Sequence, residues 1–154
     1  MAAYFFDSSA LVKRHVRETG TAWVIGLMRL PATERLYIAR IALVEIISAF
    51  ARRQRGQTLS PVEAGKATAR FRRNYERKYF KIDITNRLIE RAAALAEKHV
   101  LRGYDAVQLA AALETNDRRL AIGASPLTLI SADDALNAAA MLEGLSVDNP
   151  NLHP

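Results

Sequence analysis

After Arg102-Gly-Tyr-Asp the chain turns apolar at helical spacing: Ala106, Leu109, Ala110 and Leu113 share one face, and Val107, Ala111 and Ala112 widen it. A stripe that broad predicts a helix buried over most of its circumference, with one carboxylate, Asp105, at its head. The rest of the chain alternates short apolar runs with amphipathic stretches. Residues 3–6 are apolar and stop at Asp7, which predicts a buried first strand, and Ser8 and Ser9 offer capping hydroxyls for a helix through Leu11, Val12 and Val16. Residues 23–30 predict a second helix closed by Pro31, and residues 35–39 a second strand. Residues 41–55 form a strongly apolar helix that turns basic at Arg52, Arg53 and Arg55 before Gly56, as suits a helix C-terminus. Ser60-Pro-Val-Glu63 is a capping box with proline at the first helical position, and its helix is expected to run to about Tyr79. Residues 80–84 predict a third strand, with Thr85 capping a helix through Leu88, Ala92 and Leu95. Residues 126–131 predict a fourth strand, Asp133-Asp134 the start of a last helix ended by Gly144, residues 145–147 a short final strand, and residues 148–154 a loop.

Strands alternating with helices mean an α/β fold, with a mostly parallel sheet of about four to five strands flanked by helices. A chain of 154 residues is long enough for one real core, so a single domain over residues 1–154 is expected. In such sheets ligands bind beyond the carboxyl ends of the strands. Asp7 lies at the end of the first strand and Asp133 just past the fourth.

Those two acids belong to a set. Most of the 16 Asp and Glu residues sit beside basic or polar neighbours, but Asp7, Glu45, Asp105 and Asp133 have apolar flanks. Each has a plain reading alone: Asp7 and Asp133 as helix caps, Asp105 as a partner of the helix dipole, Glu45 paired with Arg40 or Arg52. Glu45 lies inside a helix and cannot cap it. Burying an ionised carboxylate costs several kcal/mol unless it is paired or binds a metal. Two carboxylates about 4 Å apart repel by roughly 4 kcal/mol at an effective dielectric near 20. Four acids driven toward one apolar interior therefore point to a bound cation. The absence of cysteine and the wide separation of His15, His99 and His153 exclude disulfides, thiol nucleophiles and a soft-metal site, leaving an oxygen-bound ion, Mg²⁺ or Mn²⁺. Such an ion readies a water and neutralises charge on a phosphodiester.

Charge admits two readings, a polyanion such as nucleic acid as partner or a simply soluble basic surface. The net charge is +6, which suits a polyanion. Arg70, Arg72, Arg73, Arg77, Lys78 and Lys81, with Tyr75 and Tyr79 interleaved, form a basic stretch able to hold a phosphate backbone and stack on bases, or else simply a solvated helix face. The longest strongly apolar stretch, residues 41–51, contains Glu45 and is too short to span a bilayer, and the N-terminus lacks the features of a signal peptide. The expectation is no membrane association, in a reducing cytoplasm.

Four segments resemble the successive motifs of PIN-domain proteins, closest to the VapC-type toxins of bacterial and archaeal toxin–antitoxin pairs. They are Tyr4-Phe-Phe-Asp-Ser-Ser-Ala-Leu-Val-Lys13, the apolar helix around Glu45, Arg102-Gly-Tyr-Asp-Ala-Val-Gln-Leu-Ala-Ala-Ala112 and Leu129-Ile-Ser-Ala-Asp133; the likeness continues to Val147-Asp-Asn-Pro150. The resemblance implies a PIN-like three-layer fold and a Mg²⁺- or Mn²⁺-dependent endoribonuclease. It also implies a homodimer inhibited by an antitoxin that covers the site. By the same resemblance Asp7 and Asp105 are the direct metal ligands, Glu45 and Asp133 complete the pocket, and Ser9 supports it. In the Asp133-Asp134 doublet the Ser-Ala-Asp match selects Asp133.

On this reading an activated water attacks phosphorus in line and leaves a 5′-phosphate and a 3′-hydroxyl. A second reading is a non-catalytic RNA- or protein-binding module on the same fold, keeping the basic helix and needing no metal. A third, a phosphoacceptor domain with Asp7 as acceptor, ranks last because no lysine closes a late strand. The apolar excess around Glu45 and the Trp23 helix hints at a dimer or antitoxin surface.

Overall fold

The computed structural model describes residues 1–31 and 34–154. Its centre is β1 (Ala3–Phe6), flanked by β2 (Arg35–Ala39) and β4 (Thr128–Ile130), with β3 (Phe80–Ile82) and β5 (Ser146–Asp148) at the edges. The five strands take the order β3-β2-β1-β4-β5, and every neighbouring pair is parallel. Tyr4 is in register with Leu36 on one side and Thr128 on the other. Parallel pairing needs crossovers, and these place helices on both faces. That is why consecutive residues Phe5 and Phe6 are both fully buried.

On one face lie α1 (Ser8–Leu11), which tightens into a 3-10 turn at Val12–Arg14, α2 (Thr21–Leu27), α3 (Ala42–Arg55) and α4 (Pro61–Arg77). Phe6, Leu11, Val24, Ile38, Ile46, Phe50, Phe71 and Ile130 form the core there. The other face carries α5 (Asn86–His99), α6 (Gly103–Ala121) and α7 (Asp134–Leu142), packed through Phe5, Leu88, Leu109, Leu113, Leu129 and Leu136. Helix α6 is the buried element that its apolar stripe predicted: Leu109, Ala110, Ala111 and Ala112 are all at 0 % exposure. Burying each large side chain contributes about 1.5–3 kcal/mol. The capping box also forms as expected, with Ser60 Oγ accepting from Glu63 N and Glu63 Oε2 from Ser60 N.

Four local expectations are corrected. The second helix ends at Leu27, because the amides of Met28 and Arg29 turn back to Val24 and Gly26. The third strand ends at Ile82, and Asp83 instead pairs with Arg40. The fourth helix ends at Arg77, short of Tyr79. The segment 148–154 is not plain loop: Pro150–Leu152 forms a 3-10 turn capped by Asn149. It docks on α2 through a stacked pair, Trp23 over His153, with centroids 4.1 Å apart. Gly20, at φ 84°, makes that docking possible, since a Cβ there would meet the Pro150 carbonyl oxygen at 2.2 Å. Among the described residues no helix is long and apolar enough to cross a membrane.

Candidate active site

The fold sets its acids at the carboxyl ends of the central strands. Asp7 follows β1, its amide donating to Ile130 O at 3.0 Å. It is the N-cap of α1 and 3 % exposed. Its Oδ2 accepts from the Ser9 amide at 3.1 Å, from Ser9 Oγ at 2.5 Å and from Ser131 Oγ at 3.4 Å. Those two hydroxyls tie the segment after β4 to the same point, for Ser9 Oγ accepts from Ala132 N at 2.9 Å and Ser131 Oγ from Asp133 N at 3.1 Å. The capping reading of Asp7 therefore holds, and the same carboxylate is buried. Burial pushes its carboxyl above the usual range, the Ser9 and Ser8 hydrogen bonds pull it back, and the charge of Asp105 pushes it further up.

Glu45 sits in the first turn of α3. It pairs with neither Arg40 nor Arg52: Arg40 is bound to Asp83, and Arg52 donates to Ser48 Oγ at 2.6 Å. Its partner is Gln108 on α6, whose Nε2 donates to Glu45 Oε1 at 2.7 Å and to Ser8 Oγ at 3.2 Å. Burial raises the Glu45 carboxyl to about 7, helped by the charges of Asp7 and Asp105 and opposed by the hydrogen bonds from Gln108 and Ser8. Asp105, in the first turn of α6, is likewise raised by burial and then by Asp133. Asp133 caps α7 through Leu136 N at 2.9 Å. Arg102 reaches across both, with Nε 3.1 Å from Asp105 Oδ2 and Nη2 3.0 Å from Asp133 Oδ2.

Asp7, Glu45, Asp105 and Asp133 therefore line one cavity of about 350 Å³, together with Ser8, Ser9, Arg52, Arg102 and Tyr104. Asp134 lies outside this lining and accepts from Asn149 Nδ2 instead. Asp7, Glu45 and Asp105 are raised first by burial and further by a neighbouring acid: Asp105 acts on Asp7, Asp7 and Asp105 on Glu45, and Asp133 on Asp105. Among the described residues, no three acids or histidines stand tightly enough to ligate one ion by themselves.

A wider groove of about 520 Å³ adjoins this cavity and shares Ser8, Ser9, Glu45, Arg52 and Tyr104 with it. Its walls add Lys13, whose ammonium is 3.3 Å from Glu18, and Arg53, which also binds Glu18. Val44 and Tyr104 are exposed at 64 % and 59 %.

The basic stretch of α4 is only partly what its sequence suggested. Arg70, Arg72, Arg73, Arg77 and Lys78 are exposed. Tyr75 and Tyr79 are buried at 4 % and 6 % exposure, so neither can stack on a base. They face inward because they continue the apolar row of Phe71. Gln108, Arg102, Ser131 and Tyr104 escaped the sequence reading; the available signal for Gln108 was one amide inside an otherwise apolar run.

The PIN domain family matches residues 4–142 of the chain. Ribonuclease VapC45 of Mycobacterium tuberculosis (strain CDC 1551 / Oshkosh) is 30 % identical over 157 residues, covering 100 % of both chains. Two solved structures share the fold. Mycobacterium tuberculosis VapC20, described as a sarcin-ricin loop cleaving toxin, gives a TM-score of 0.64 at 17 % identity over 98 % of this chain and 99 % of its own. A toxin-antitoxin complex from Klebsiella pneumoniae gives 0.63 at 18 % identity over 96 % and 97 %.

Proposed function

The chain belongs to the PIN-domain family, and on that footing we propose that it is a single-domain endoribonuclease, the toxin of a toxin–antitoxin pair, that hydrolyses RNA with a Mg²⁺ or Mn²⁺ ion. The observation that carries the reading is the meeting of Asp7, Glu45, Asp105 and Asp133, from four separate elements, in one cavity at the strand ends. Relatives named ribonucleases along the full length support the substrate class.

Asp7 and Asp105 would hold the ion, with Glu45 and Asp133 completing the acidic set. Bound there, a divalent ion supplies neutralising charge and a more acidic water. The chain's own groups do the rest. Ser9 and Ser131 fix the Asp7 carboxylate, and Gln108 fixes Glu45, which is aimed to orient the attacking water and accept its proton. Arg52 and Arg102, which line the cavity, would balance the charge of a phosphodiester as its P–O3′ bond breaks, the departing 3′ oxygen taking a proton from solvent. Products are a 5′-phosphate and a 3′-hydroxyl. The adjoining groove, with Val44 and Tyr104 exposed along it, is the surface we assign to an antitoxin segment; a solved structure of the same fold is a toxin-antitoxin complex. A homodimer is the assembly proposed, and size-exclusion chromatography with light scattering tests it.

The purified protein is expected to cut RNA with Mg²⁺ or Mn²⁺ and to stop when EDTA is added. Asp7→Asn should lower the rate by at least about 100-fold with an unchanged circular dichroism spectrum. Cutting that survives chelation, or an Asp7→Asn protein at wild-type rate, would overturn the reading.

A further inference from the structure

A second cavity, of about 220 Å³, lies outside the acidic site and is lined by Arg14, Arg29, Arg70 and Ile25. Its three guanidinium groups come from three separate segments: the turn after α1, the turn after α2, and α4. Among the described residues none of them, nor Lys78, takes part in an ion pair. Arg14 Nε is buried with no hydrogen-bond partner. The cluster repels itself. Burial, then the charges of Arg14 and Arg29, hold the Lys78 ammonium below its usual range. Burial, then Arg14 and Arg70, lower the neighbouring His15 to about 3, so its ring is neutral. Converging cations without a counter-charge are a receptor for an anion.

The cavity also has a position relative to the acids. The acidic cavity shares Arg52 and Tyr104 with the adjoining groove. That groove shares Glu18 with a further depression beside α2, which in turn shares Arg14 and Ile25 with the basic cavity. The depressions adjoin residue to residue, and Glu18 along the way is neutralised by Lys13 and Arg53.

We propose that Arg14, Arg29, Arg70 and Lys78 form a remote binding site for a backbone phosphate of the RNA strand whose other end lies in the acidic cavity. The site rests on the ribonuclease reading for its ligand. It makes affinity depend on substrate length: a strand confined to the acidic cavity never reaches it, and a longer strand gains phosphate contacts that carry no base preference.

The test uses the full chain with Arg29→Ala and Arg70→Ala combined, both side chains being exposed. Binding of fluorescein-labelled single-stranded RNAs of about four and about 20 nucleotides is followed by anisotropy, in EDTA, across a salt series. The expected result for the longer RNA is an affinity lower by about tenfold and a log–log salt slope shallower by about 1.4, the signature of two lost phosphate contacts. The short RNA should bind and be cut equally by both proteins, and the melting temperature should hold or rise, because two mutually repelling charges are gone. Equal affinity and equal slope for the longer RNA would overturn the proposal. So would a melting shift of wild type alone with millimolar inorganic phosphate, together with unchanged RNA binding, since the cavity would then serve a free anion. Wild-type protein that binds the longer RNA through these arginines but never cuts it with metal would remove the nuclease reading and leave the site standing.

Discussion

Gln108 on α6 places its side-chain nitrogen 2.7 Å from the Glu45 carboxylate on α3, while being itself fully buried. The amide therefore crosses from one layer to the other and holds a half-buried charge in place. Losing a hydrogen bond to a charged group costs about 1–3 kcal/mol. Gln108→Leu, close in volume but without the donor, should reduce the RNA cleavage rate by about tenfold. Melting should move by only a few degrees. An unchanged rate in steady-state assays would show that Glu45 needs no holding.

The raised carboxyls make metal-free stability fall as pH rises. Glu45 is raised from 4.5 to about 7 in the folded protein, and Asp7 and Asp105 are raised as well. The folded state thus binds protons that the unfolded state has released. Their stabilisation is complete below the unfolded values and is lost as pH climbs through the folded ones. In EDTA the melting temperature should decline from about pH 4.5 to 7 on account of this site. Added Mg²⁺ or Mn²⁺ should restore stability most above pH 7, where Glu45 is ionised, and least near pH 5. Differential scanning fluorimetry across pH, with and without metal, measures both limbs. A metal effect independent of pH would contradict the placement.

Arg102 spans Asp105 and Asp133 from outside, with its side chain 82 % exposed. An exposed ion pair contributes little to folding, so Arg102→Ala should leave the melting temperature almost unchanged. It removes a positive charge that competes for the same oxygens. Mn²⁺ affinity, followed by electron paramagnetic resonance, should rise a few-fold while the affinity for RNA drops. Weaker Mn²⁺ binding in the variant would mean that the arginine organises the acids rather than competing at them.

Two glycines should respond in opposite directions to alanine. Gly20 is left-handed and faces the Pro150 carbonyl oxygen, where a new Cβ would sit at 2.2 Å. Gly20→Ala should cost at least about 2 kcal/mol and release the turn at Pro150–Leu152 from α2. Gly26 lies inside α2 with nothing within 4 Å of its would-be Cβ. There alanine should stabilise by about 0.5–1 kcal/mol. Urea denaturation of the two variants separates these effects.

Much of the site was legible because a carboxylate beside apolar residues is costly wherever it lies. Asp7, Glu45, Asp105 and Asp133 stood out on that ground and line one cavity. The element sequence was legible for a similar reason: Ala106 to Leu113 and Phe5-Phe6 repeat at the spacings that burial on one face or two demands. What local pattern cannot carry is pairing between distant segments. Nothing near Glu45 announces Gln108, and nothing near Pro150 announces Gly20. Tyr75 and Tyr79 misled because a basic flank says nothing about which way a ring turns; their spacing from Phe71 directs them into the core.

The sheet order has a consequence for synthesis. The first strand made, β1, is central, and its second neighbour, β4, comes from residues 128–130. Of the pocket acids, Asp133 leaves the ribosome last. A nascent chain lacking that segment has no completed pocket, and β1 lacks its neighbour on one side. On the proposed activity, a nascent chain cannot cut RNA until residues 128–133 have been made and folded onto β1.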